Sequence, residues 1–121
     1  MPISRILVVD DSPTERFFLS DLLVKNGYMV SLAEFGEEAV AQARQTLPDL
    51  IVMDVVMPGM NGYQATRVIS REEATRHIPI ILCTSKGQET DKVWGMRQGA
   101  RAYLVKPVDP RELLSQIRAL G

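Results

Sequence analysis

Five residues able to carry out phosphorus chemistry stand at the ends of short apolar runs in this 121-residue sequence. Asp10-Asp11 follow the run Ile6–Val9 and Asp54 follows Leu50–Met53. Thr84-Ser85 close the run that begins at Ile78, and Lys106-Pro107 follow Ala102–Val105. Each position alone has a plain structural explanation, because acids and hydroxyls commonly cap helices. Together they describe a site. Three carboxylates from two neighbouring strands repel one another unless a cation shares them, and an all-oxygen donor set suits magnesium. Magnesium keeps several waters and accepts phosphate oxygens, so the acids need not enclose it. Asp54 can then act as a nucleophile toward phosphorus and form an aspartyl phosphate, with no separate base required. Lys106 supplies a point charge to the phosphoryl oxygens and Thr84 a hydroxyl partner, since phosphoryl transfer asks mainly for positioning and electrostatic stabilisation.

Positioning these groups requires strands that end together. The runs Ile6–Val9, Met29–Ala33, Leu50–Met53, Ile78–Leu82 and Ala102–Val105 are rich in β-branched residues, and most do not alternate apolar with polar. That pattern marks strands covered on both faces, as in a parallel sheet with crossover helices between strands. A first helix is predicted from Pro13 to about Lys25, behind Ser12 as N-cap and ending at Asn26-Gly27, with Phe18, Leu19, Leu22 and Leu23 as its apolar stripe. Ala39, Val40, Ala43 and Leu47 form a second stripe, and Ala65, Val68 and Ile69 a third. Leu113, Leu114, Ile117 and Leu120 form the last, behind Asp109-Pro110. Between Glu89 and Gln98 the large apolar residues are Val93, Trp94 and Met96, with Gly95 inside, so the fourth helix is predicted to be short and loosely held. The fold class is therefore α/β: a five-stranded parallel sheet, order 2-1-3-4-5, doubly wound with five helices in the flavodoxin-like manner. Ligands of such sheets bind outside the carboxyl ends of the strands, where the polar groups collect.

Bulk properties narrow the classes further. The length suits one domain over residues 1–121. Fourteen basic against fifteen acidic residues give a formal net charge of −1, which offers no field for binding nucleic acid. No apolar stretch approaches a membrane span, and Asp10-Asp11 interrupt any signal-peptide pattern, so no membrane insertion and a cytosolic location are expected. The lone Cys83 reads as a buried small hydrophobe. His77 reads as a surface residue, and without a second His or Cys nearby it makes no zinc site. Trp94 is open between a partner-binding anchor and a core residue, and its basic and polar neighbours Lys92, Arg97, Gln98 and Arg101 suit an acidic partner or a solvated face. Lys86 and Val56 should border a phosphoryl group on Asp54.

Val8-Val9-Asp10-Asp11-Ser12, Met53-Asp54, Met57-Pro58-Gly59-Met60-Asn61-Gly62, Thr84 and Gly99-Ala100 through Tyr103-Leu104-Val105-Lys106-Pro107 resemble, in this order, the CheY-like receiver domains of two-component signalling. The resemblance covers essentially the whole chain. It implies that Asp54 is the phosphoacceptor, that Asp10, Asp11, Asp54 and the backbone carbonyl of Val56 hold magnesium, and that Lys106-Pro107 is cis. It also implies that Thr84 and Tyr103 form a switch pair that alters the face made by the fourth helix, fifth strand and fifth helix.

Asp11-Ser12-Pro13-Thr14-Glu15, Gly62-Tyr63-Gln64-Ala65-Thr66-Arg67 and the run from Gln88 to Ala100 are similar, more narrowly, to PilH-type regulators of twitching by type IV pili. That likeness implies a CheA-like histidine kinase, or its phosphotransfer domain, as donor. Such a chain is a phosphoacceptor switch with self-directed phosphotransfer and autodephosphorylation, not an enzyme, and is expected to be a monomer. No effector domain is expected after Gly121, so output passes to another protein; a phosphate sink or a phosphate-independent interaction module is the alternative. A haloacid-dehalogenase phosphatase would need Asp-x-Asp, where Val55-Val56 follow Asp54, and a flavodoxin's phosphate would meet the acids of Asp10-Asp11.

Overall fold

A computed structural model describes residues 2–121. Strands and helices alternate throughout: β1 (Arg5–Val9), α1 (Pro13–Lys25), β2 (Met29–Ala33), α2 (Gly36–Thr46), β3 (Leu50–Met53), α3 (Gly62–Arg71), β4 (Ile80–Thr84), α4 (Glu89–Gln98), β5 (Ala102–Val105) and α5 (Pro110–Leu120). The strands form one parallel sheet in the order β2-β1-β3-β4-β5. The expected topology is therefore the observed one.

Successive side chains of a strand point to opposite faces, and here both faces are covered. On one face Leu7, Val9, Ile51, Met53, Ile80 and Leu82 pack against Ala39, Val40 and Ala43 of α2 and Ala65 and Ile69 of α3. On the other, Ile6, Val8, Leu50, Val52, Ile81 and Cys83 pack against Leu19 and Leu23 of α1 and Leu113 and Ile117 of α5. Each fully buried Leu or Ile contributes about 1.5–3 kcal/mol of transfer free energy, so the sheet interior anchors the strand ends that carry the polar groups.

Helix starts reinforce the same edge. The Ser12 side chain accepts a hydrogen bond from the Glu15 amide. Asn61 and Gln64 form a reciprocal capping box at α3, and Asp109 accepts from the Arg111 amide at α5.

Several expectations are corrected. The fourth strand is Ile80–Thr84 and not Ile78–Leu82. Pro79 has no N–H for the ladder, and Ile78 closes a turn onto the Thr75 carbonyl, although its side chain is buried. Leu47 is 42% exposed because it caps α2 in a left-handed conformation (φ 47°). Phe18 is 41% exposed, which leaves Leu19 and Leu23 as the buried residues of α1. In α4 only Gly95 is buried, so Trp94, 50% exposed, is not a core residue. A Cβ on Gly95 would stand 3.0 Å from both Leu82 Cδ1 and Tyr103 Cδ2; the helix lies against the sheet through its backbone. Among the described residues no helix is long and apolar enough to cross a membrane.

Candidate functional site

Parallel register brings the carboxyl ends of β1, β3, β4 and β5 to one edge. The Asp54 amide donates to Val9 O (2.9 Å) and the Lys106 amide to Thr84 O (2.8 Å), so the ladder itself holds the residues that follow each strand. Asp10 is 1% exposed; its Oδ1 accepts from the Ser12 amide at 2.9 Å and its Oδ2 from Lys106 Nζ at 2.8 Å. Arg16 donates to the Asp10 carbonyl at 2.7 Å, fixing the loop from below. Asp54 is 8% exposed, its Oδ1 accepts from the Val55 amide at 2.7 Å, and its Oδ2 lies 3.6 Å from Lys106 Nζ. Asp11 is exposed and contributes a carboxylate oxygen to a group in which the Asp10, Asp11 and Asp54 donors all lie within 4.8 Å of one another.

Three carboxylates meet there and one lysine faces two of them, so the set carries an excess of negative charge. Its chemistry fits a hard divalent cation such as magnesium. Val56 is exposed two residues beyond Asp54, with its backbone N–H directed at the Asp54 carboxyl. Thr84 is fully buried, and its Oγ1 accepts from the Lys86 amide at 3.3 Å. The Lys106-Pro107 bond is cis. His77 is exposed and Cys83 buried, its thiol pushed up to about 12 by desolvation.

Electrostatics follow from burial. Desolvation raises the Asp54 pKa above the ordinary carboxylate value; Lys106 opposes this and Asp10 adds to it. For Lys106, burial would lower the pKa, but the Asp10 hydrogen bond and the charges of Asp54, Asp10 and Glu15 outweigh it and raise the value. A carboxyl whose native pKa lies above its unfolded value binds its proton more tightly when folded. The stability this gives is complete below the ordinary Asp range and is lost as pH rises through the raised native value. Asp54→Asn, which cannot ionise, is therefore expected to be more stable than the native chain at neutral pH in chelated buffer. Urea midpoints from about pH 4 to about pH 8 check this; a variant no more stable at neutral pH contradicts it.

The structure adds Tyr63 to the site and shows how Tyr103, expected from the resemblance as a switch residue, is held. Tyr103 is 8% exposed and its hydroxyl donates to the Lys86 carbonyl at 2.7 Å. Tyr63, in the first turn of α3, places its hydroxyl 3.3 Å from that of Tyr103 and 3.2 Å from the Asp91 carbonyl. A phenol has one proton. With Tyr103 donating to Lys86, the Tyr63 proton is shared between the Asp91 carbonyl and the Tyr103 oxygen. The pair thus ties α3, α4, β5 and the β4–α4 loop together next to Thr84. In the sequence the two tyrosines stand in separate motifs, Tyr63 directly after Gly62 and Tyr103 in the last apolar run, with nothing local to join them.

A doubly wound parallel sheet that carries three clustered carboxylates, a buried threonine and a lysine at its carboxyl edge is the architecture of a receiver domain. Residues 6–118 match the response regulator receiver domain family, and the chain belongs to that family. It is 56% identical over 118 residues, covering 98% of each chain, to Protein PilH of Pseudomonas aeruginosa. The structure of chemotaxis protein CheY4 of Vibrio cholerae superposes with a TM-score of 0.91 at 33% identity, over 98% of this chain and 99% of that one. The receiver domain of sensor histidine kinase PA1611 from P. aeruginosa, which has a magnesium ion coordinated in its active site cleft, gives 0.90 at 33% identity, over 97% and 96%. The resemblances to CheY-like receivers and to PilH-type regulators both stand.

Proposed function

We propose that this receiver accepts a phosphoryl group on Asp54 from a CheA-like histidine kinase or its phosphotransfer domain and acts as a switch in type IV pilus or chemotaxis-like signalling. The observation that carries the reading is the placement of Asp54: nearly buried at the end of the central strand, 3.6 Å from Lys106 and within the carboxylate cluster. An oxygen of Asp54 attacks the phosphorus of a phosphohistidine. The P–O bond forms as the P–N bond breaks, and the imidazole leaves with the electron pair. Lys106 pairs with the phosphoryl oxygens and the Thr84 hydroxyl donates to one of them. Asp10, Asp11, Asp54 and the Val56 carbonyl would hold magnesium, which when bound neutralises charge on the transferring group. Hydrolysis by water returns the carboxylate.

Thr84 and Tyr103 would form the switch pair, and the inward Tyr103, hydrogen-bonded to the Lys86 carbonyl, supports that role. Drawing the Thr84 oxygen toward the phosphoryl group would lengthen the 3.3 Å hydrogen bond it accepts from the Lys86 amide. The same loop that Tyr103 grips is thereby altered, and with it the α4-β5-α5 face that meets a downstream protein. A cytoplasmic, monomeric chain is part of this reading.

Intact mass spectrometry with a small phosphodonor and magnesium tests it. The native chain is expected to gain one phosphoryl group, and Asp54→Ala and a chelated sample none. Equal gain by Asp54→Ala, or no gain by the native chain where another receiver is labelled, would refute it.

A further inference from the structure

A groove of about 300 Å³ runs between α3 and α4, lined by Asn61, Tyr63, Gln64, Arg67, Trp94 and Gln98. It lies on the opposite flank of α4 from β5 and α5. Trp94 is half exposed in it. Arg71 stands one turn beyond Arg67, and Arg97 one turn beyond Trp94, so both arginines extend the walls of the same groove. At the far end the two helices touch: a Cβ on Gly99 would stand 2.4 Å from Ser70 Oγ, which brings Arg101 to the same end as Arg71.

Charge on this surface is one-sided. Arg67, Arg71, Arg97 and Arg101 are exposed, and none makes an ion pair among the described residues. Of the nearby acids, Glu72 and Asp91 are occupied, while the exposed Glu73 makes no ion pair among the described residues. Glu72 is paired with Arg44 of α2. The Asp91 carboxylate accepts from the Gln88 amide and faces Lys86 at 3.9 Å. A chain with a formal net charge of −1 thus gathers unpaired guanidinium groups around its single tryptophan.

We propose that the α3–α4 groove is a docking site for an acidic segment of a partner protein, with an aliphatic side chain laid on Trp94 and carboxylates paired with Arg67 and Arg97. Guanidinium groups match carboxylates in a bidentate geometry, and no internal ion pair must break first. Tryptophan and arginine are the residue types that most often dominate binding at interfaces. The groove does not contain the phosphoacceptor, although Tyr63 on its wall touches Tyr103.

Fluorescence anisotropy of a short labelled peptide of glutamate and leucine, titrated with the full chain at low salt, tests the proposal. Arg67→Glu and Arg97→Glu are each expected to weaken binding about tenfold or more. Lys92→Glu makes the same charge change two residues before Trp94, on the other side of the helix, and is expected to change it less than about twofold. All three positions are exposed, and a melting curve for each variant confirms folding. Blue-shifted Trp94 emission on binding would support the site. Equal weakening by Lys92→Glu, absence of binding to the native chain, or tighter binding of a mixed-sequence oligonucleotide would overturn it.

Discussion

Gly62→Ala is expected to lower the unfolding free energy by about 3 kcal/mol, the upper end of overpacking costs, and to weaken magnesium binding at the same time. Gly62 opens α3, and its amide donates to the Val55 carbonyl at 2.8 Å. A Cβ there would stand 2.1 Å from the Asp54 carbonyl oxygen and 2.8 Å from Val55 Cα. Both are backbone atoms of the loop that carries the phosphoacceptor, so no flexible side chain can yield. Either α3 moves off the sheet or the Asp54 loop moves with it, and each disturbs the carboxylate cluster. For a domain of this size the loss corresponds to a fall in Tm on the order of 10 °C. Gly27→Ala is the control. Its φ of 91° disfavours a side chain, yet a Cβ there meets nothing within 4 Å, so only backbone strain of about 1 kcal/mol should appear and magnesium binding should be unchanged. Urea denaturation and calorimetric titration of magnesium measure both quantities. A Gly62→Ala chain within about 1 kcal/mol of the native one would show that the loop is not wedged in this way.

That constraint was not legible in the sequence, where Gly62 is only the last residue of a turn-like stretch. What was legible has a common physical origin. β3 and β5 begin and end at the apolar runs because a strand covered on both faces cannot hide polar residues, so the first polar residue marks its end; β2 matches its run as well, although it is a largely exposed edge strand that holds Ser31. The same rule exposed Asp10, Asp11, Asp54 and Lys106, since the strand ends of a parallel sheet share one edge. It missed at β4, where Ile78 is buried without being in the strand and Thr84 is in the strand while being polar. It missed again at Phe18 and Leu47, whose apolar side chains fit the helical stripe but face solvent. The Tyr63–Tyr103 contact joins residues 40 apart in the chain, and the close approach of α4 to Tyr103 depends on the missing side chain of Gly95. Such features are set by how elements pack, and local periodicity carries no record of them.

Lys106→Ala is expected to separate two quantities that would fall together in a merely damaged protein: phosphoryl uptake drops on the order of 100-fold, while magnesium binds about tenfold more tightly. Lys106 Nζ lies 2.8 Å from Asp10 Oδ2 and 3.6 Å from Asp54 Oδ2, so it faces the same oxygens that a metal would share. Two unit charges about 4 Å apart interact by about 4 kcal/mol at an effective dielectric of 20, and a divalent ion doubles that repulsion. Even when solvent screens most of that, the 1.4 kcal/mol that corresponds to tenfold tighter binding remains. Uptake falls because the ammonium also compensates charge on the phosphoryl oxygens, and removal of one such fixed donor costs about 100-fold or more. Stability provides a third readout. Without Lys106 the buried Asp10 and Asp54 have no cationic side chain against them, and breaking such a buried pair costs about 3 kcal/mol in chelated buffer. The deficit should shrink as pH falls and Asp54, whose pKa burial raises, takes up a proton, and it should be recovered when magnesium is added. Weaker magnesium binding by Lys106→Ala would mean that the lysine orders the carboxylates more than it repels the metal.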